Sequence, residues 1–220
     1  MGSKDLTSEA TKLGRIAAID VARGASLIGM VVYHLTWDLA SFGFIPADAP
    51  FSPEMRIFSH VVASAFLALV GVSLALAHPH GLRGRAFARR FALVAGAALL
   101  VTAATLFIEP AEPIYFGILH CIAVASLVAA PFVGAPAWMA LAAGVVALAA
   151  PLAFASESFD APALIWLGLG TVAPRTLDWR PLLPWAGVVL VGLALGRASL
   201  PRLARWRWTL WRPAAIPGRA

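Results

Sequence analysis

Six stretches of the chain carry no Asp, Glu, Lys or Arg: 24–37, 57–82, 91–108, 113–156, 161–174 and 181–196. A bilayer core takes ~20 apolar residues per helix at ~1.5 Å each, so these runs predict membrane spans. The first becomes a full crossing, about Ile16 to Trp37, only if Asp20 and Arg23 lie inside its first turns. The second and third are single spans. The fourth is long enough for two and contains Pro131, Gly134 and Pro136, which predicts helices over about 114–131 and 137–154 joined by the turn VGAPA. The fifth has room for only ~21 Å of helix, short for a crossing and suited to a segment that dips into the membrane. The last crosses if it begins near Leu182, and its Gly192 and Gly196 are spaced to let a neighbouring helix approach closely.

Charge orders these elements. Lys4, Lys12 and Arg15 precede the first span, Arg83, Arg85, Arg89 and Arg90 separate the second from the third, and Arg197, Arg202, Arg205, Arg207 and Arg212 follow the last. The intervening connections carry Asp38, Asp48 and Glu54, then Glu109 and Glu112, then Glu157 and Asp160. Basic segments stay cytoplasmic, which requires an even number of crossings. The expected fold is therefore an all-α integral membrane protein with six transmembrane helices plus one short membrane-dipping segment within 156–181; the alternative is seven transmembrane helices. Residues 1–14 form a polar cytoplasmic N-terminus, 15–197 the helical domain, and 198–220 a basic Trp/Arg-rich cytoplasmic tail. The tail's LARWRWTLWR suits an interfacial helix on anionic lipid, or simple anchoring.

Composition agrees. Of 220 residues, 60% are hydrophobic and only 13% charged, with a mean hydropathy of +0.83, so the chain cannot cover a water-facing surface. Disorder and collagen are excluded. The net charge is +6, yet no basic face interleaved with aromatics points to nucleic acid. Cys121 permits no intrachain disulfide and falls in an apolar run, and no Cys/His spacing suggests a metal. The polar first fourteen residues give no sign of a cleavable signal.

Polar groups inside spans are costly unless paired or facing a cavity, so they mark candidate chemistry. His34, His60 and His120 each place an imidazole in the outer half of a different helix. Singly each reads as a packing histidine; together they predict a shared polar cavity able to move protons. Asp20 and Arg23, three apart on one face, pair as a helix-end ion pair or help bind a charged ligand entering from the cytoplasm. Arg83, Arg85, Arg89 and Arg90 set orientation, or bind that ligand's phosphates through guanidinium groups.

The stretches RIAAIDVARGASLIGMVVYHLTWDL, FLALVGVSLALA, YFGILHCIAVASL and DWRPLLPWAGVVLVGLALGR, in this order from Arg15 to Arg197, resemble the bacterial branch of the heparan-alpha-glucosaminide N-acetyltransferase catalytic-domain family. The first motif, with a histidine eleven residues after Arg23, is also similar to the wider group of membrane acyltransferases that modify cell-surface sugars. The resemblance implies a multi-pass enzyme of the bacterial inner membrane, with both termini cytoplasmic. It implies transfer of an acetyl group from cytoplasmic acetyl-CoA to an amine or hydroxyl of a small-molecule or glycan acceptor on the outer side. No metal is needed. Membrane lipids are the other expected partners, no nucleic acid is, and a homo-oligomer is compatible with the sequence.

The resemblance carries over Asp20 and Arg23 to the donor, His34 to the catalysis, and Asp178, Trp179 and Trp185 to the outer mouth. The residues themselves add Arg83, Arg85, Arg89 and Arg90 for the donor, His60 and His120 with Asp178 for the catalysis, and Trp37 and Asp38 with Trp179 and Trp185 for the acceptor. The chain departs from the family in the loop ASFGFIPADAPFSPEMR, which lacks the histidine that the eukaryotic enzyme uses as base, so His34 or His60 takes that role. Two rival readings use the same histidines: a proton-coupled transporter, and a membrane haem-binding protein with two imidazole ligands.

Overall fold

Proline and capping residues decide where each apolar run becomes helix. A computed structural model describes the backbone of residues 17–210 and the side chains of 19–199. The described residues form six α-helices: α1 (Ala17–Ser41), α2 (Pro53–Ala77), α3 (Gly84–Ile108), α4 (Ile118–Ala129), α5 (Ala137–Phe154) and α6 (Leu182–Leu210). Among the described residues there is no strand. Helices α2, α3 and α5, and Leu182–Ser199 of α6, are long and apolar enough to cross a bilayer, and α4 with its following turn makes a shorter apolar helix, Ile118–Phe132. The chain is an all-α membrane protein. The expected polar N-terminus at 1–14 lies outside the described residues, and of the basic tail at 198–220 only the backbone to Leu210 and the side chains of Ala198 and Ser199 are described.

The fifth charge-free run, 161–174, forms no α-helix. Residues 157–159 and 165–167 form only single 3-10 turns. The segment is instead closed on itself: the Ser156 N–H donates to the Leu169 carbonyl at 3.0 Å, and the Asp160 carboxylate accepts the Thr171 hydroxyl and N–H, both at 2.7 Å, and the Val172 N–H at 3.1 Å. The Thr171 hydroxyl, more than the two amides, holds the Asp160 carboxyl below the ordinary range.

Helix starts differ from the expected ones for local and long-range reasons. Ser52 accepts the Met55 N–H at 3.3 Å with Pro53 next in line, which begins α2 four residues before the charge-free run. Helix α3 starts at Gly84, so Arg85, Arg89 and Arg90 sit on its first two turns rather than in a loop. Helix α4 starts at Ile118, not at 114, because the preceding residues pair with a distant segment. The Thr176 hydroxyl donates to the Pro113 carbonyl (2.7 Å), the Leu177 N–H to Glu112 (3.2 Å) and the Arg180 N–H to Phe116 (3.3 Å). In α6 Leu183 is extended, φ −102° and ψ 133°, as a residue before proline tends to be, so regular helix runs from Pro184.

Helix α6 is the hub, packing on α2, α4 and α5; α1 lies on α2, and α3 on α4. Small residues allow this. A Cβ at Gly192 would stand 2.1 Å from the Ala68 carbonyl oxygen, and one at Gly71 2.0 Å from that of Val189, so α2 and α6 touch backbone to backbone. Gly187 and Gly144 do the same between α6 and α5. Around these contacts Leu67, Leu74, Cys121, Val189, Leu190 and Leu193 are fully buried. The hydroxyls of Ser26, Thr36, Thr105 and Ser126 each bond the carbonyl one turn back, which satisfies them where no water is available.

Candidate active site

Two pockets open on the seam between α2 and α4, one toward each end of the bundle. Met30, Tyr33 and His34 of α1, Ser59, Val62 and Ala63 of α2, Ile118 of α4, and Asp178 and Arg180 line the first, a cavity of about 30 Å³. Leu74 of α2, Phe87, Arg90, Phe91 and Val94 of α3, and Ala123 and Ser126 of α4 line the second, of about 10 Å³. At ~1.5 Å per residue the two linings are ~16 Å apart along α2, from Ala63 to Leu74, and only ~7 Å apart along α4, from Ile118 to Ala123.

At the first pocket Asp178 does structural and electrostatic work together. Its Oδ2 accepts the Ile118 N–H at 2.6 Å, capping α4, and places a carboxylate at the positive end of that helix. Arg180 is held on three sides. Its Nη1 donates to the Trp179 carbonyl at 2.8 Å, its Nη2 to Ser59 Oγ at 3.3 Å, and its Cζ lies 5.5 Å from the centre of the Trp185 ring. Sequence reasoning missed Arg180, Ser59 and Tyr33. The signal for Arg180 was its place between Asp178 and Trp185, but a loop arginine reads as an orientation charge.

The three histidines reach one end of the bundle, where their surroundings differ. Only His34 lines the pocket. Among the described residues no protein group hydrogen-bonds either of its ring nitrogens; its one ring neighbour is Tyr33, edge-on at 5.7 Å. His60 donates Nδ1–H to the Arg56 carbonyl at 2.7 Å and lies 5.5 Å from Trp185. His120 is bonded at both nitrogens. Its Nδ1 accepts the Gly117 N–H at 3.3 Å, which leaves the proton on Nε2 to donate to Thr102 Oγ1 at 3.1 Å. The Thr102 hydroxyl in turn donates to the Ile114 carbonyl at 2.6 Å, so His120 braces the start of α4.

Residues 15–219 match the family described as heparan-alpha-glucosaminide N-acetyltransferase, catalytic. The chain belongs to that family. No curated protein and no solved structure matches it. Membership makes the chain a membrane acetyltransferase by class, and the expected family residues can be placed on that basis.

At the arginine end, Asp20 and Arg23 form the expected pair at 3.3 Å, and the second Arg23 nitrogen donates to Ser73 Oγ on α2. Of the four arginines from Arg83 to Arg90, only Arg90 lines the seam; Arg83, Arg85 and Arg89 are exposed. The turn that leads into them is fixed by His78. His78 is buried, at 3% exposure, and its Nδ1 accepts the Arg83 N–H at 3.1 Å. Burial, and then the nearby Arg83 and Arg90 charges, push the His78 imidazole below its ordinary pKa. At the other end, Trp37 lies one turn beyond His34, edge-on to Phe51 at 4.9 Å, and its buried Nε1–H has no partner among the described residues. Asp38 is exposed and Trp179 half-buried. Trp185 is buried at 7% exposure, a platform under His60 and Arg180 rather than a group at the mouth.

Proposed function

We propose that this acetyltransferase takes its acetyl group from acetyl-CoA at the arginine end and delivers it to an amine or hydroxyl of a sugar-type acceptor at the His34 end. The observation that carries the reading is the His34 imidazole, unbonded among the described residues, in a pocket that also holds Asp178 and Arg180. The donor's phosphates would meet Arg90 and Arg23, with Arg83, Arg85 and Arg89 around the entrance, since guanidinium groups bind phosphate through charge-assisted bonds. Both pockets lie on the α2–α4 seam, along which a pantetheine arm would run from one to the other.

A thioester is already activated, so the protein has three tasks: to align two substrates, remove a proton and stabilise an oxyanion. His34 accepts the proton of the acceptor's amine or hydroxyl as that atom attacks the thioester carbonyl carbon. The carbonyl π pair moves onto oxygen. Collapse of the tetrahedral intermediate re-forms the carbonyl and breaks the carbon–sulfur bond, and the CoA thiolate leaves with the proton from His34. His60, whose Nδ1–H is held by the Arg56 carbonyl, keeps Nε2 as a second proton carrier at the same end of the bundle. His120 keeps α4 in place. Asp178, Asp38 and the unpaired Trp37 N–H offer polar contacts to the acceptor, with Trp179 and Trp185 as apolar walls.

By the positive-inside rule the arginine end faces the cytoplasm of a bacterial inner membrane, and six crossings return both termini to that side. Purified protein incubated with radiolabelled acetyl-CoA and a panel of amino sugars should label an acceptor. Absence of transfer to every amine and hydroxyl offered, from protein that binds acetyl-CoA, would overturn the reading.

A further inference from the structure

We propose that Arg180 is the oxyanion-stabilising residue of the transfer, a role that rests on the acetyl-CoA reading above. Its guanidinium lines the same pocket as the His34 imidazole. A guanidinium offers five N–H donors. Two are engaged, by the Trp179 carbonyl and Ser59 Oγ, and the rest have no partner among the described residues. Among the described residues no carboxylate lies within 4.0 Å of its nitrogens, and neighbouring Asp178 engages the Ile118 N–H instead. Arg180 is half-buried, and Asp178, the carboxylate that lines the same pocket, is bonded to the Ile118 N–H rather than to it, which leaves the guanidinium available to a developing negative charge.

The holding of Arg180 matters as much as its charge. Its backbone N–H is fixed on Phe116, its two terminal nitrogens on α2 and on its own chain, and its plane on Trp185. Donors fixed before reaction, aimed where negative charge develops, need no reorganisation as it forms. When the acceptor attacks, the carbonyl oxygen gains the electron pair and Arg180 donates N–H hydrogen bonds to it; when the carbon–sulfur bond breaks, the pair re-forms the carbonyl. No proton leaves the guanidinium. His34 and Arg180 thereby divide the work, one taking the proton of the attacking atom and the other the charge of the oxygen.

The test is vibrational spectroscopy of acetyl-CoA, isotope-labelled at its thioester carbonyl and bound to the full chain in lipid nanodiscs. The wild-type protein should shift the carbonyl stretch to lower frequency than in free acetyl-CoA. Arg180→Gln should bind acetyl-CoA with near wild-type affinity and return the band to its free position, and Arg180→Lys should recover part of the shift. In turnover Arg180→Gln should lower kcat by ~10²–10³-fold with little change in KM, the loss typical of removing one oxyanion donor. An unshifted band in wild-type protein with acetyl-CoA bound overturns the role of Arg180 and leaves the donor reading standing. A shift that survives Arg180→Gln does the same. Wild-type protein that binds no acetyl-CoA removes the donor reading, and this inference with it. Should Arg180→Gln not fold, the wild-type band and the Arg180→Lys band decide.

Discussion

Asp178 caps a helix sixty residues away, its Oδ2 accepting the Ile118 N–H at 2.6 Å. The contact exists only because Gly117 lacks a side chain: a Cβ there would stand 2.3 Å from that oxygen. One carboxylate thus starts α4 and walls the pocket that holds His34, so the packing of the bundle and the geometry of the site depend on the same bond.

Asp178→Ala should lower stability by ~1 kcal/mol, the usual cost of a lost N-cap, while Asp178→Asn, which can still accept, should lose less. Gly117→Ala should cost ~1–3 kcal/mol, because the carboxylate must move. Unfolding of the protein from mild detergent by titrated SDS measures all three. A Gly117→Ala protein as stable as wild type would show that the close approach is not needed.

Substitutions in the α2–α6 contact should be severe where the backbones touch. Gly192→Ala puts a Cβ 2.1 Å from the Ala68 carbonyl oxygen and should destabilise by ~1–3 kcal/mol or more. Gly96→Ala on α3, with nothing within 4 Å, should be neutral or stabilising by ~0.5–1 kcal/mol. The same unfolding titration compares them.

The helices were legible because charge is excluded from the bilayer interior, which marks six runs without any structural knowledge. Gly192 and Gly196 were legible as contact residues for a related reason, since small residues four apart leave a groove on one helix face. Their partners were not: nothing local to Gly71 or Ala68 names α6. The start of α4 was misplaced because its cap lies at residue 178, and the segments 112–118 and 176–180 find each other only in three dimensions. Among the candidate site residues, His34 was singled out by its motif, and the structure places it in the lining of the first pocket. The different bonding of His60 and His120 could not be read from the sequence, because an imidazole's partners are set by the carbonyls and hydroxyls that folding brings to it. Arg180 went unnoticed for the same reason.

His78 makes stability depend on pH in a stated direction. Its folded-state pKa is depressed, while the unfolded chain protonates near the ordinary value of about 6.5. Between these two values the unfolded state binds more protons, so the contribution is fully present above about pH 6.5 and is lost as pH falls toward the folded value. Protonation also removes the lone pair that accepts the Arg83 N–H. Stability measured against pH should therefore decline on acidification below about 6.5, and His78→Asn, whose amide oxygen can accept that bond without titrating, should flatten the decline.

Donor binding should distinguish arginines that orientation alone treats alike. Arg90→Gln should weaken acetyl-CoA binding by the ~1.5–3 kcal/mol typical of a charge-assisted bond, about tenfold or more, whereas Arg89→Gln, exposed on the same helix, should weaken it far less. Calorimetric titration in nanodiscs reads both, and equal effects would return Arg90 to a general electrostatic role.

The most direct measurement is turnover of radiolabelled acetyl-CoA with an amino-sugar acceptor by wild-type protein, His34→Asn, and His120→Asn, with acetyl-CoA affinity measured in parallel. An asparagine amide cannot act as a base, so His34→Asn should lower turnover by ~10²–10⁴-fold with affinity unchanged, while His120→Asn should act mainly on stability. A His34→Asn protein that transfers acetyl groups at near wild-type rate would contradict the account.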